Sequence, residues 1–330
     1  MRGFVEAEEL SGAVRHAVGA DCRVVGVDRL RGGSKKGVYR VRLKGGGTAS
    51  VIVYRWADEE NFWPGDGADG DDATDPLAPA SGLVPFLAAH RGLREIGARV
   101  PRLLWAVDAA DRHATGIAVV EDIAGGTLEA LFTTDPGRAE AVLKDLARTL
   151  DLMQRHIAPR FGRVDVLERG GVALGKSCEE LVLDRALRDL AEAAGRDSRI
   201  MAARSRLDDR LKALRALVTP RTEYGLIHGE LGPDHVLVGA EAGAVLIDIE
   251  GLMYFDVEWE HVFLRLRFGN HYAALVRPGL DPRRLDLYML AMRLSLVAGP
   301  LRLLDGDFPD RGFMRGIAEH NLREALALLP

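Results

Sequence analysis

Apolar positions change their period partway along the chain. Near the start, the spacing over 6–18 predicts a short helix. Three strand-like stretches follow, 24–30, 37–43 and 49–54. Gly-rich turns at 31–37 and 45–47 separate them, which predicts an antiparallel meander. A helix is expected over 83–96, then apolar strands over 103–107 and 116–123. The last strand ends in Glu121-Asp-Ile-Ala-Gly-Gly126, and a glycine pair after a buried strand predicts a connector. From about residue 127 the period is helical. Val142, Leu146, Leu150 and Met153 share one face, as do Leu207, Leu211, Leu214 and Val218, and later Leu285, Met289, Met292 and Leu296. Such stripes predict core. The expected architecture is α+β and bilobal, with a small antiparallel β-rich lobe (1–123) before a larger, mostly helical lobe (124–330).

Residues 57–82 break this pattern. They hold eight acidic residues, no Lys or Arg, and many glycines and prolines, a composition that predicts a mobile insertion. Asn61-Phe-Trp-Pro64 is the exception, since paired aromatics in a loop dock on something, either the protein itself or an active site they cover. Charge adds little: 44 basic and 49 acidic side chains leave a net charge of -5, which gives no sign of a nucleic-acid partner. Cys22 and Cys178 belong to no metal or redox motif and are expected as buried thiols. No apolar signal core or membrane-length run is visible, so a cytoplasmic protein with no membrane partner is expected.

The candidate chemistry lies in 224–260. Two apolar strands flank the Gly-rich turn 239–243, which predicts a β-hairpin. Pairing Val238 with Val245 sets His235 opposite Asp248, with Glu230 in the loop feeding that end and Glu250 just beyond. Four ionisable groups at one mouth are costly to leave unpaired. Either Mg²⁺ relieves that cost through the oxygen ligands, or the residues are hydrogen-bonded loop groups with no metal.

His228-Gly-Glu-Leu-Gly-Pro-Asp-His-Val-Leu237 is similar to the His-Gly-Asp-x-x-x-x-Asn segment of aminoglycoside and choline kinases, and Ile247-Asp-Ile-Glu250 looks like their metal-binding segment. The chain therefore resembles the aminoglycoside phosphotransferase and choline kinase-like family, whose fold is protein-kinase-like. The resemblance implies that Glu230 is the catalytic carboxylate, Asp248 the principal Mg²⁺ ligand and Glu250 a further ligand. His235 stands at the Asn position, as a metal ligand or in catalysis, and His228 braces the loop. It also implies that Gly33, Ser34, Lys35, Lys36 and Gly37 cover the phosphates of ATP or GTP, while Glu121, Asp122 and Ile123 meet the base. The acceptor would be a small-molecule hydroxyl, on an antibiotic (aminoglycoside, macrolide or nucleoside) or a sugar-like metabolite. A catalytically weak or inactive kinase-like protein that binds nucleotide or another ligand is the alternative.

The chain departs from the family in several places. Glu230 replaces the usual Asp. His235 replaces Asn, and imidazole is a poor partner for hard Mg²⁺; one metal site is lost, or His235 meets phosphate, or a softer ion is used. The nucleotide-binding Lys of strand three has no counterpart, with Tyr54 or Arg55 at its place. Its acidic partner on the next helix is missing too, leaving Glu95 as candidate. Glu260 stands where the family has an Asp that braces the lower lobe, and Asp256 and Glu258 are candidates to face substrate.

Overall fold

The structure of the protein, a computed structural model, describes residues 5, 7–30, 33–63, 74–107 and 116–329. In chain order the elements run α1 (Ala7–Val18), β1 (Arg23–Arg29), β2 (Gly37–Lys44), β3 (Ser50–Trp56), α2 (Leu83–Glu95), β4 (Leu103–Val107) and β5 (Gly116–Glu121). Then come α3 (Leu128–Thr134), α4 (Pro136–Arg155), β6 (Ile157–Ala158), β7 (Gly162–Arg163), α5 (Val164–Glu168), α6 (Cys178–Arg196) and α7 (Ser198–Ala216). The chain ends with β8 (Tyr224–Ile227), β9 (Val236–Val238), β10 (Ala244–Leu246), β11 (Met253–Phe255), α8 (Val257–Phe268), α9 (Pro282–Leu303) and α10 (Arg311–Ala327).

These elements form two compact units, one within 1–63, 80–145 and 234–250, the other within 64–79, 146–233 and 251–330. By contacts, neither unit is continuous in sequence: residues 234–250 group with the first unit. In that unit β1, β2, β3, β5 and β4 form, in this order, an antiparallel sheet. Strand β2 shows why. Tyr39, Val41 and Leu43 alternate with Arg40 and Arg42, so one face is apolar, and α1 covers it with Leu10, Ala13 and Val14.

In the second unit, α9 packs against α6, α7, α8 and α10. Being surrounded, it buries Leu287, Leu290, Leu294 and Val297 completely, while the expected stripe residues Leu285, Met289 and Leu296 are only partly buried. The other two stripes are core as expected. Arg284 is 1% exposed; its Nη1 donates to Glu179 Oε2 (3.3 Å) and to Asp256, and its Nη2 to the Thr219 carbonyl (2.5 Å). Glu258, fully buried, receives both Arg221 nitrogens at 2.7 and 2.6 Å. Asp256 and Glu258 are thus both committed to buried ion pairs within the helical unit.

The expected mobile insertion is packed at both described ends; residues 64–73 lie outside the described residues. Residues 58–60 form a 3₁₀ turn with Glu60 buried. On the other side, the Thr74 carbonyl accepts from the Leu174 amide (2.7 Å), and Asp75 Oδ1 from the Leu77 amide (2.9 Å). Both cysteines are free and buried. Among the described residues, no helix is long and apolar enough to cross a membrane.

Candidate active site

In the first unit, β9 and β10 form the expected hairpin, but Val238 pairs with Ala244, Leu237 with Val245 and Val236 with Leu246. This is one residue off the expected Val238–Val245 pairing. The turn sets the register: the Gly239 amide donates to the Gly243 carbonyl (2.8 Å), and Glu241 and Ala242 take φ of 54° and 57°. His235 therefore lies opposite Ile247, whose amide donates to the His235 carbonyl at 3.0 Å. Its imidazole still approaches Asp248, with Nε2 3.6 Å from Oδ2. Asp248 has φ 60°, a left-handed conformation rare outside glycine and frequent where function needs a side chain aimed in one direction.

Asp248 and Glu250 converge on one cation. Lys36 Nζ lies 2.7 Å from Asp248 Oδ1 and 2.5 Å from Glu250 Oε1. It also sits over the Tyr54 ring, 5.1 Å from the centroid. Burial alone would lower the ammonium's pKa; Asp248 and Glu250 overcome this and hold it above the ordinary lysine range. Burial likewise raises the Tyr54 phenol.

Lys36 arrives from the Gly-rich loop, which is pinned from behind. The Ser34 carbonyl accepts from the Phe62 amide (2.7 Å) and its hydroxyl from Trp63 Nε1 (2.8 Å). The Ser81 hydroxyl donates to the Lys35 carbonyl (3.3 Å). The two aromatics therefore dock on the protein's own loop. Gly33 has φ 75°. At Gly37 a Cβ would collide with the Glu60 carboxyl and the Tyr39 ring, so only glycine lets Glu60 sit there. Glu60 is held by Arg29 (3.0 Å), Arg55 (3.7 Å) and the Tyr39 hydroxyl. Burial and that hydrogen bond push the Tyr39 phenol up to about 12.

Arg55, the candidate for the strand-three cation, is thus engaged with Glu59 and Glu60, and Tyr54 lies beneath Lys36. Glu95 is exposed at the end of α2, leaving Asp248 and Glu250 as the lysine's acidic partners. In the connector, Asp122 accepts from Arg40 (2.8 and 3.0 Å) and Ser50 (2.6 Å), and the Glu121 amide donates to the Arg102 carbonyl (2.9 Å). Ile123 follows directly. A Cβ on Gly125 would strike the Val238 carbonyl, and Val238 donates its amide to the Gly126 carbonyl (3.0 Å). The glycine pair thus brings the connector against the hairpin.

Glu230 belongs to the second unit, in the loop after β8, and is exposed. Glu260 braces that loop from α8, as expected. It is fully buried and accepts from the Gly229 amide (2.9 Å) and from the amides of His228 and Leu231. Burial pushes its pKa up to about 7. His228 is buried beside it. Of the four groups expected at one mouth, His235, Asp248 and Glu250 come together in the first unit.

Residues 29–291 match the family model for the phosphotransferase enzyme family. The chain belongs to that family. No curated protein matches it. Among solved structures, the complex of spectinomycin phosphotransferase APH(9)-Ia with ADP and spectinomycin is 14% identical with a TM-score of 0.66, over 99% of both chains. Aminoglycoside phosphotransferase APH(4)-Ia is 18% identical with a TM-score of 0.62, over 96% of this chain and 99% of its own. The GDP complex of aminoglycoside 2'-phosphotransferase-IIIa is 16% identical with a TM-score of 0.62, over 97% and 99%. The fold is the kinase-like fold of aminoglycoside phosphotransferases.

Sequence reasoning placed Lys36 of this phosphotransferase-family chain in the loop but missed its pairing with Asp248 and Glu250, 212 and 214 residues away. Nothing local separates Lys36 from Lys35. Glu60 was missed as well, hidden in an acidic run. The signal that would have found it is Gly37, whose missing side chain leaves room for a buried partner.

Proposed function

We propose that the protein transfers the γ-phosphate of ATP or GTP to a hydroxyl of a small molecule, an antibiotic or a sugar-like metabolite. The observation that carries this reading is the convergence of Asp248 and Glu250 on one cation beside His235, in a chain of this family. Two carboxylates already arranged around a positive charge suit Mg²⁺. Asp248 and Glu250 would hold the metal, which when bound neutralises the charge of the β- and γ-phosphates.

The chain's own groups do the rest. The loop 33–37 covers the phosphates, and the backbone of 121–123 meets the base. Glu230 orients the acceptor hydroxyl and takes its proton late, the only proton transfer this reaction asks of the protein. Glu260 fixes the backbone from which Glu230 projects. His235 positions Asp248.

The test is mass spectrometry of candidate acceptors after incubation with ATP or GTP and Mg²⁺. The expected result is an acceptor heavier by one phosphate. An acceptor heavier by a nucleotide would reassign the reaction. Nucleotide binding with no change in any of a broad panel of aminoglycosides, macrolides, nucleosides and amino sugars would favour the binding-protein reading, which the altered Lys and Asn positions support and the retained Glu230, Asp248 and Glu250 oppose.

A further inference from the structure

Lys36 fills the space between the two carboxylates that a metal needs. It is 7% exposed and bonded to both, at 2.7 and 2.5 Å. The Tyr54 ring beneath it offers an ammonium a favourable face whether or not the carboxylates hold it. The lysine stands just before β2, at the end of the loop whose Ser34 is tied to Phe62 and Trp63. The backbone is therefore fixed, while the long side chain can swing.

We propose that Lys36 is a tethered counter-ion of Asp248 and Glu250, exchanged for the divalent metal as metal and nucleotide enter together, and that it then pairs with the polyphosphate. The loop, not β3, would supply the nucleotide's lysine. The inference rests on the nucleotide-dependent reading of the site. Charge is its physical basis. A divalent ion arriving alone meets carboxylates already half neutralised by the lysine, and an ammonium that repels it. With a polyphosphate present, the ammonium has somewhere better to go. Metal and nucleotide therefore bind cooperatively through Lys36.

The decisive variant is Lys36→Met, which keeps an unbranched side chain one atom shorter and removes its charge. Two titrations are read: Mn²⁺ into nucleotide-free protein by electron paramagnetic resonance, and ADP or GDP with Mg²⁺ by calorimetry. The two affinities should move in opposite directions, each by on the order of tenfold or more, given unit charges at contact distance in a partly shielded site. Mn²⁺ alone should bind more tightly and the metal–nucleotide more weakly, while Lys36→Arg, which keeps the charge, should stay closer to wild type in both. Two affinities that stay unchanged or fall together would overturn the proposal. If Lys36→Met does not fold, amine acetylation of the wild type, read by peptide mass spectrometry against Lys35, answers the same question. Lys36 should be slow to react alone, faster with saturating Mn²⁺ and slow again with metal plus nucleotide; reactivity indifferent to these additions would sink the idea. Neither readout needs an acceptor. Absence of phosphate transfer in the wild type would thus count against the proposed function alone, and unmoved Mn²⁺ affinity against the counter-ion alone.

Discussion

At the residue scale, Glu230, the loop carboxylate we propose as catalytic, is one methylene longer than an Asp. Glu230→Gln keeps size and hydrogen bonding but cannot accept a proton, so turnover should fall by on the order of 10² to 10⁴, while nucleotide affinity stays near wild type. Glu230→Asp restores the usual acid, yet its carboxylate falls short by about one C–C bond length. Turnover should drop here too if the site has adapted to Glu, and steady-state kinetics on both variants checks this pair. Glu260 carries a pH signature. Burial lifts its folded pKa to about 7 from an ordinary 4.5. The folded state therefore binds this proton before the unfolded state does, and the stability it contributes is full below 4.5 and lost as pH rises to 7. His261 acts in the opposite sense, because burial, with Arg277 nearby, lowers it to about 4; its contribution is lost as pH falls below 6.5. The wild-type profile is the sum of both. Denaturant melts of wild type and Glu260→Gln across pH 4.5–8 should show wild type gaining on the variant, by about 1–3 kcal/mol, toward the acid end. A constant difference would contradict the assignment.

At the element scale, the hairpin β9–β10 is held by its turn and by the connector. Gly125 lies against the Val238 carbonyl, where no side chain fits. Gly125→Ala should therefore push the connector off β9 and destabilise the protein by about 1–3 kcal/mol, as overpacking does. Gly12→Ala, in α1 with open space around its Cβ position, should be neutral or mildly stabilising because helix interiors favour Ala. Thermal melts of the two variants side by side test the argument. The loop 33–37 depends on its neighbours in the same way, since its carbonyl and hydroxyl at Ser34 are both taken by 62–63.

At the scale of the whole molecule, the residues of the proposed roles divide between the compact units. Asp248, Glu250, His235 and Lys36 belong to the first, and Glu230 with its Glu260 brace to the second. Metal-dependent nucleotide binding and acceptor deprotonation should therefore be separable by mutation. In thermal shift experiments, ATP or GTP should raise the melting temperature with Mg²⁺ and much less without it, because ligand binding to the folded state alone stabilises it by mass action. Asp248→Asn should abolish most of the Mg²⁺-dependent part, and Glu230→Gln should leave it intact. Equal shifts with and without Mg²⁺ would remove Asp248 from metal binding.

Sequence alone determined the elements and their order, because alternation and helical spacing are local records of which face is buried. The strand at Leu103–Val107 and the start of α2 at Leu83 fall where periodicity puts them. The motif around His228 and Asp248 was legible through its resemblance to the family's segments, since its residues are close in sequence. What sequence could not determine depended on distant partners. The one-residue hairpin register follows from turn dihedrals that no apolar pattern encodes. The burial of Asp256 and Glu258 follows from Arg284 and Arg221, which lie outside the motif. The turning of Lys36, rather than Lys35, onto Asp248 and Glu250 is decided by tertiary structure alone, because a lysine's charge has no preferred neighbour until the fold brings carboxylates within reach.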